Sequence, residues 1–172
     1  MKHILIVLVE NQPGVLARIA GLFSRRGFNI GSLTVGETEN PNLSRMTIVV
    51  EGDQAVLEQV TKQLHKLINV IKITDITESP SVVRELVLLK LKATAQTRGE
   101  IVEICNIFRA KVVDVGREAL TIEMTGSDDK IDALVELLRP FGLKELVRTG
   151  KIAMVRSTKN KVKSCENDEE EM

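Results

Sequence analysis

Apolar residues in the first 78 positions recur with the spacing of six short elements. The run Ile4–Val9 is continuous and is followed by a polar turn with Pro13-Gly14, which is typical of a buried strand. Two helical stripes with three- and four-residue spacing alternate with further extended runs. We predict strands over Ile4–Val9, Asn29–Val35, Met46–Val50 and Ile71–Ile76, a helix with inward residues Leu16, Ile19, Ala20 and Phe23, and a second helix, capped by Asp53, with inward residues Val56, Leu57, Val60, Leu64 and Leu67.

The same order of elements recurs after the short segment Ser79-Pro80-Ser81. Gly14 precedes Phe23 by nine positions and Gly99 precedes Phe108 by nine, so the two halves form an internal repeat. The second half predicts strands over Leu86–Leu91, Val112–Val115, Leu120–Met124 and Leu146–Val155, and helices with inward residues Ile101, Ile104, Cys105 and Phe108 and then Ile131, Leu134, Val135 and Leu138.

The order strand-helix-strand-strand-helix-strand, with both helices on one face of an antiparallel sheet, is the ferredoxin-like arrangement. We therefore expect an α+β chain of two consecutive ferredoxin-like βαββαβ domains. The predicted division is a first domain over 1–78, a linker over 79–83, a second domain over 84–157 and a charged tail over 158–172. Because the tail has almost no apolar residues, we predict that it is disordered.

The amino-acid composition argues against several classes of function. Lys plus Arg and Asp plus Glu each number 24, and Tyr and Trp are absent, so both the positive field and the stacking surface of a nucleic-acid-binding protein are missing. Ile4–Val9 is far shorter than the ~20 residues of a membrane-spanning helix, and no basic leader precedes it. The two cysteines, far apart in the chain, indicate no disulfide framework. We expect a cytoplasmic protein without nucleic-acid or membrane partners.

The polar turn Asn11-Gln12-Pro13-Gly14 is the sharpest candidate for a ligand site. It joins a strand to a helix, where free backbone N–H groups attract a carboxylate, and Gly14 allows close approach. The amide of Asn29 could hold the ammonium group of the same amino acid, which would make a clamp for a zwitterion. The simpler interpretation is that Asn11 caps the helix and Asn29 closes a turn.

The second half of the repeat offers a comparison for this helix start. There Thr97 and Glu100 have the spacing of a capping box, which predicts that Glu100 satisfies the start of the helix itself. In the first half Val15 takes the matching position, so that helix start remains open to an external anion. We infer that the first domain carries the ligand site.

No group of residues in the sequence has the pattern of a catalytic or metal site. His3 and His65 lie far apart, and we expect surface or interface positions for both. Cys105 lies on an inward helical stripe and is predicted to be a buried apolar side chain, and Cys165 an inert thiol in the tail. An enzyme would have to be a ferredoxin-like hydrolase, but no convergent acid, base or nucleophile supports one.

The turn at Asn11–Gly14 within a βαββαβ unit resembles the ACT domain, a family of amino-acid-sensing modules. More specifically, the chain is similar to the family of acetolactate synthase small subunits in the segments Leu22–Ile30, Ser32–Val35, Leu43–Ile48, Leu57–Val60 and Lys62–Leu67. This resemblance extends to about Ser157. It implies a regulatory homodimer that pairs through its ACT domains and holds a branched-chain amino acid, usually valine, between protomers.

By position, the resemblance implies that Asn11, Gly14 and Asn29 hold the backbone of the amino acid and that Val15, Leu16 and Ile30 line its aliphatic pocket. It also implies a large catalytic subunit as partner, which uses thiamine diphosphate, magnesium and a flavin, whereas this chain binds no cofactor. The expected role is to activate that subunit and to confer feedback inhibition. A free-standing ACT-type sensor that regulates another enzyme is the alternative.

Overall fold

The structure, a computed structural model, describes residues 1–157, so the predicted disordered tail and Cys165 lie outside the described residues. The described chain divides into two compact units, one formed by Met1–Val82 together with residues 151–157 and the other by Val83–Gly150. None of the helices among the described residues is long and apolar enough to cross a membrane.

The first unit contains a four-stranded antiparallel sheet in the order β2-β3-β1-β4, which is the ferredoxin-like order that the sequence predicts. Strand β2 forms one edge and, among the described residues, pairs with β3 alone. The elements are β1 (Lys2–Glu10), α1 (Val15–Arg26), β2 (Ile30–Glu37), β3 (Leu43–Glu51), α2 (Gln54–His65) and β4 (Val70–Asp75).

The first core lies between the sheet and its two helices. Alternate residues of β1, including Leu5, Val7 and Val9, face the helices and are fully buried. His3 has the same parity and is 2% exposed, so its predicted surface or interface position is wrong. The reason is that β1 begins at Lys2, which extends the buried face back to His3.

The helices of the first unit follow the prediction from the sequence in part. The Asp53 carboxylate accepts a hydrogen bond of 2.9 Å from the Val56 N–H, which confirms the predicted cap of α2. In α1 the buried residues are Val15, Ile19, Leu22 and Phe23. Two predicted inward residues, Leu16 and Ala20, are instead exposed, because the buried stripe of the helix lies one residue before each of them, at Val15 and Ile19.

The second unit repeats this architecture with a core of its own. Its sheet has the order β6-β7-β5-β8, and α3 and α4 supply buried residues that include Ile101, Ile131 and Leu134. Cys105 is also buried, and burial raises the pKa of its thiol, as expected for an apolar role. The elements are β5 (Ser81–Lys92), α3 (Arg98–Phe108), β6 (Lys111–Val115), β7 (Ala119–Gly126), α4 (Asp128–Leu138), a short 3-10 helix (Arg139–Phe141) and β8 (Leu143–Arg148).

The single strand predicted over Leu146–Val155 is wrong, since the structure has two strands there. Strand β8 ends at Arg148, and β9 (Ile152–Val155) begins after a break at Gly150, whose φ of 86° only glycine adopts readily. Strand β9 pairs with β5 near the start of that strand, where the Arg156 N–H donates to the Pro80 carbonyl at 2.9 Å.

Candidate functional site

The loop between β1 and α1 is tied to the hairpin of β2 and β3. The Asn11 side-chain amide donates to the Pro41 carbonyl at 2.9 Å and to the Glu37 carboxylate at 3.2 Å, and its backbone N–H donates to the Asn42 carbonyl at 2.7 Å. Asn11 therefore does not cap α1, contrary to the simpler interpretation of the sequence. Its role in this protomer is to fix the loop beside the end of β2.

A second set of polar side chains holds the other side of this loop. The Arg18 guanidinium donates to the Asn69 side-chain oxygen at 2.7 Å, and the Asn69 amide donates to the Glu10 carboxylate at 2.6 Å. Asn69 is buried, so both of its polar ends are satisfied inside the protein. The sequence pattern did not single out these three residues, because they are distant along the chain and belong to no recognisable motif.

The start of α1 offers donors that no group among residues 1–157 accepts. Gly14, at φ 86°, precedes the helix, which has neither a side-chain cap nor an acidic residue in its first turn. The Arg18 N–H bonds to the Gly14 carbonyl at 3.0 Å, whereas the N–H groups of Leu16 and Ala17 have no acceptor among the described residues. Two free N–H groups and the positive end of the helix dipole are suited to a carboxylate.

The corresponding helix start in the second unit differs, though not as predicted. Thr97 makes no side-chain cap bond to α3, so the capping box with Glu100 is absent. The Thr97 hydroxyl instead accepts a hydrogen bond from the Thr94 N–H and bonds to the Thr94 hydroxyl, in the turn that precedes the helix. The Arg98 guanidinium donates to the carbonyls of Gly116 and Arg117. The contrast that remains is the acidic residue in the first turn of α3, which α1 lacks.

Asn29 and Ile30 lie at the other end of the first sheet from Asn11. Ile30 pairs with Val50, which in turn pairs with His3 at the start of β1. Asn11 contacts Glu37, which is seven residues further along β2, so the two ends are about 23 Å apart at 3.3 Å per residue. A single amino acid cannot bridge that distance, so a zwitterion clamp within one protomer is wrong.

The aliphatic candidates also differ in their surroundings. The Val15 side chain is buried in the core of the first unit, and only its backbone lies at the open helix start. Leu16 is 41% exposed and borders the free N–H groups. Ile30 is half-buried and packs against the core at the start of β2. Residues 1–157 bring together no group of three or more side chains that could hold a metal ion.

Comparison with known proteins agrees with this description. The ACT domain of the acetohydroxyacid synthase small subunits matches residues 5–72, and the family of the small subunit of acetolactate synthase matches residues 84–157. A probable acetolactate synthase small subunit from Archaeoglobus fulgidus is 64% identical over 159 residues, which are 92% of this chain and 99% of that protein. The small subunit from Mycolicibacterium smegmatis is 58% identical over 154 residues, or 90% of this chain and 91% of that protein.

A solved structure supports the same assignment. The crystal structure of the acetolactate synthase small subunit from Thermotoga maritima superposes with a TM-score of 0.85 at 43% identity, and covers 92% of this chain and 99% of that chain. The predicted resemblance and the predicted fold of two ferredoxin-like domains are thus confirmed. The chain belongs to the family of acetolactate synthase small subunits, which are regulatory subunits with an N-terminal ACT domain.

Proposed function

We propose that this chain senses a branched-chain amino acid, with valine as the expected ligand, and passes the signal to the large catalytic subunit of acetolactate synthase. Residues 1–78 are the sensing domain in this proposal. The chain activates its partner, confers feedback inhibition and performs no catalysis itself. Thiamine diphosphate, magnesium and the flavin belong to the partner.

The proposal places the ligand between two copies of the first domain. Strand β2 provides the surface, because it lies at the edge of the sheet formed by the described residues and two such edge strands can pair in antiparallel fashion about a two-fold axis. An axis near the middle of β2 sets residue 30 of one protomer opposite residue 37 of the other. Asn29 of one copy then lies beside Asn11 of its partner, which removes the separation of about 23 Å within a single protomer.

This arrangement supplies complementary groups to an amino acid. The free N–H groups of Leu16 and Ala17 would bind the carboxylate, and Asn29 from the partner would hold the ammonium group. The exposed Leu16 side chain and Ile30 from the partner would contact the aliphatic group of the ligand. The observation that carries the proposal is this division of the candidate residues between the two ends of β2.

Control of the partner requires that the ligand favour one of two states of the assembly. Ligand bound between protomers stabilises one arrangement of the ACT pair, and that arrangement must differ in its effect on the catalytic subunit. A coupling free energy of about 1–3 kcal/mol is typical of such regulation and must act in both directions. The affinity of the chain for valine should therefore differ between the free chain and its complex with the large subunit.

The proposal is tested by calorimetric titration of the purified chain with valine, leucine and isoleucine, alone and with Asn29→Ala. The matched control is Asn106→Ala, because Asn106 is also an exposed asparagine but lies on α3 in the second unit. We expect binding by the parent and by the Asn106 variant, and a loss of at least about tenfold for Asn29→Ala.

The same proteins, added to the large subunit, test the regulatory part of the proposal. The parent chain should raise the rate of acetolactate formation, and the preferred amino acid should lower it again. The absence of binding by all three amino acids would contradict the sensing role. Equal binding by the parent and Asn29→Ala would contradict the site.

A further inference from the structure

The first unit has a second concave site, on the face of its sheet that the helices do not cover. The even-numbered residues of β1 face this side, and β9 lies over it. The cavity has a volume of about 290 Å³, which suits a small ligand. Its lining residues are Ile6, Leu8, Arg45, Lys72, Thr74, Met154 and Val155.

Two cationic side chains lie on either side of an apolar residue on the floor of this cavity. Arg45 pairs with Leu8 across β3 and β1, and Leu8 pairs with Lys72 across β1 and β4, so the three residues form one row. Among residues 1–157 neither cation forms an ion pair with a carboxylate. Two neighbouring positive charges without a counter-charge favour an anion between them.

Strand β9 forms the roof of the cavity through contacts with the same sheet. The Arg45 guanidinium donates to the Ala153 carbonyl at 3.0 Å, which fixes the side chain at the cavity wall and leaves its other N–H groups for a ligand. The Lys151 N–H donates to the Ser32 hydroxyl at 2.9 Å. Met154 and Val155 of the strand contribute apolar surface to the cavity.

We propose that this cavity binds a small aliphatic carboxylate that carries no ammonium group. The carboxylate would contact Arg45 and Lys72, since guanidinium and carboxylate groups match in geometry and charge. The aliphatic part would contact Ile6, Leu8 and Val155. An α-amino acid is disfavoured because its ammonium group would approach the same two cations. The site thus takes a different class of ligand from the amino-acid site.

Occupation of the cavity also stabilises its roof. A ligand that contacts both the floor and Val155 adds contacts that hold β9 on the sheet. The backbone N–H groups of β9 should then exchange with solvent more slowly. This effect is confined to the strand and does not require the amino-acid site.

The test uses 3-methylbutanoate as the probe, followed by NMR in the Asn29→Ala background, so that the amino-acid site is impaired. We expect shifts at Thr74 and Val155 and slower exchange over β9. The neutral 3-methylbutanamide and valine should bind at least about tenfold more weakly, because the former lacks the negative charge and the latter carries an ammonium group. Acetate should bind more weakly than 3-methylbutanoate because it lacks the branched aliphatic chain.

Lys72→Gln is the decisive variant, since Lys72 is exposed and its side chain makes no hydrogen bond to β9. It should lower the affinity for 3-methylbutanoate by about tenfold, whereas Lys62→Gln, at an exposed position of α2, should leave that affinity unchanged. Absence of shifts at millimolar probe, equal binding of acid and amide, or equal loss in both lysine variants would overturn the proposal. None of these outcomes bears on valine binding by the parent chain.

Discussion

Substitution of Gly14 separates backbone strain from ligand exclusion at the start of α1. Gly14 has φ 86°, and a Cβ atom built there meets no atom within 4 Å. Any cost to folding therefore comes from the left-handed backbone conformation and not from a clash. We expect Gly14→Ala to lower the free energy of unfolding by about 1–2 kcal/mol.

Gly14→Asp should cost no more stability than Gly14→Ala, since aspartate adopts the left-handed region somewhat more readily than alanine. It also places a carboxylate next to the free N–H groups of Leu16 and Ala17, where the carboxylate of the ligand would bind. The added charge competes with the ligand and repels it. We expect Gly14→Asp to weaken amino-acid binding at least about tenfold, and Gly14→Ala to change it only severalfold.

Urea denaturation gives the stability of each variant, and calorimetry gives its affinity for the amino acid that the parent binds best. Gly14→Ala is the matched control, because it carries at least the backbone cost of Gly14→Asp without the charge. Equal affinities for the two variants would refute the placement of the carboxylate at this helix start. The placement would also be refuted if the loss of affinity across the variants simply tracked their loss of stability.

Two further predictions concern the second unit. Arg148 pairs with Glu85 at 3.6 Å, and the Glu85 side chain is only 8% exposed, so Arg148→Gln should lower the free energy of unfolding by about 1–3 kcal/mol in urea denaturation. The exposed pair of Lys90 and Glu145 is the control, and Lys90→Gln should cost no more than about 1 kcal/mol of stability. Equal losses of stability in the two variants would contradict the stabilising role of the pair of Arg148 and Glu85. Because burial raises the thiol pKa of Cys105, the unfolded state loses this proton first as pH rises, so stability should fall above the unfolded thiol's pKa. Cys105→Ala in a Cys165→Ser background should show less of this fall, and a native chain whose Cys105 reacts with a thiol reagent before unfolding would contradict the burial.

Periodicity was sufficient to predict the fold. Apolar repeats of two and of three to four residues identify the strands and helices, and their order fixes the ferredoxin-like topology. The misassigned residues of α1 have a simple cause: Leu16 and Ala20 are apolar, and an exposed apolar residue fits the helical period as well as a buried one. Burial depends on how the helix is rotated on the sheet, which spacing alone leaves open.

The path of the chain after β8 could not be predicted in the same way. Leu146–Val155 is largely extended and apolar, so a continuous strand was the natural prediction. Gly150 breaks it, and the contacts that hold β9, from Arg45 and Ser32, come from residues more than 100 positions earlier. Such pairings are invisible to local patterns.

The candidate site was partly predictable. The turn before Gly14 indicated an open helix start, and the structure has free donors there. The separation of Asn11 and Asn29 could have been found by counting elements, because α1 returns the chain to the opposite end of the sheet before β2 begins. The contacts of Asn11 with Glu37 and Pro41 could not, since they depend on the register of the hairpin.

Mixed dimers test most directly whether the site is shared between protomers. A dimer of one Asn11→Ala chain and one Asn29→Ala chain, isolated with two different affinity tags, has one doubly altered site and one intact site if each site uses Asn11 from one chain and Asn29 from the other. Titration with the preferred amino acid should then give one site per mixed dimer with the affinity of the parent, while both altered homodimers bind weakly. If no site with the parental affinity is recovered in the mixed dimer, the two residues do not act across the interface and the shared site is refuted.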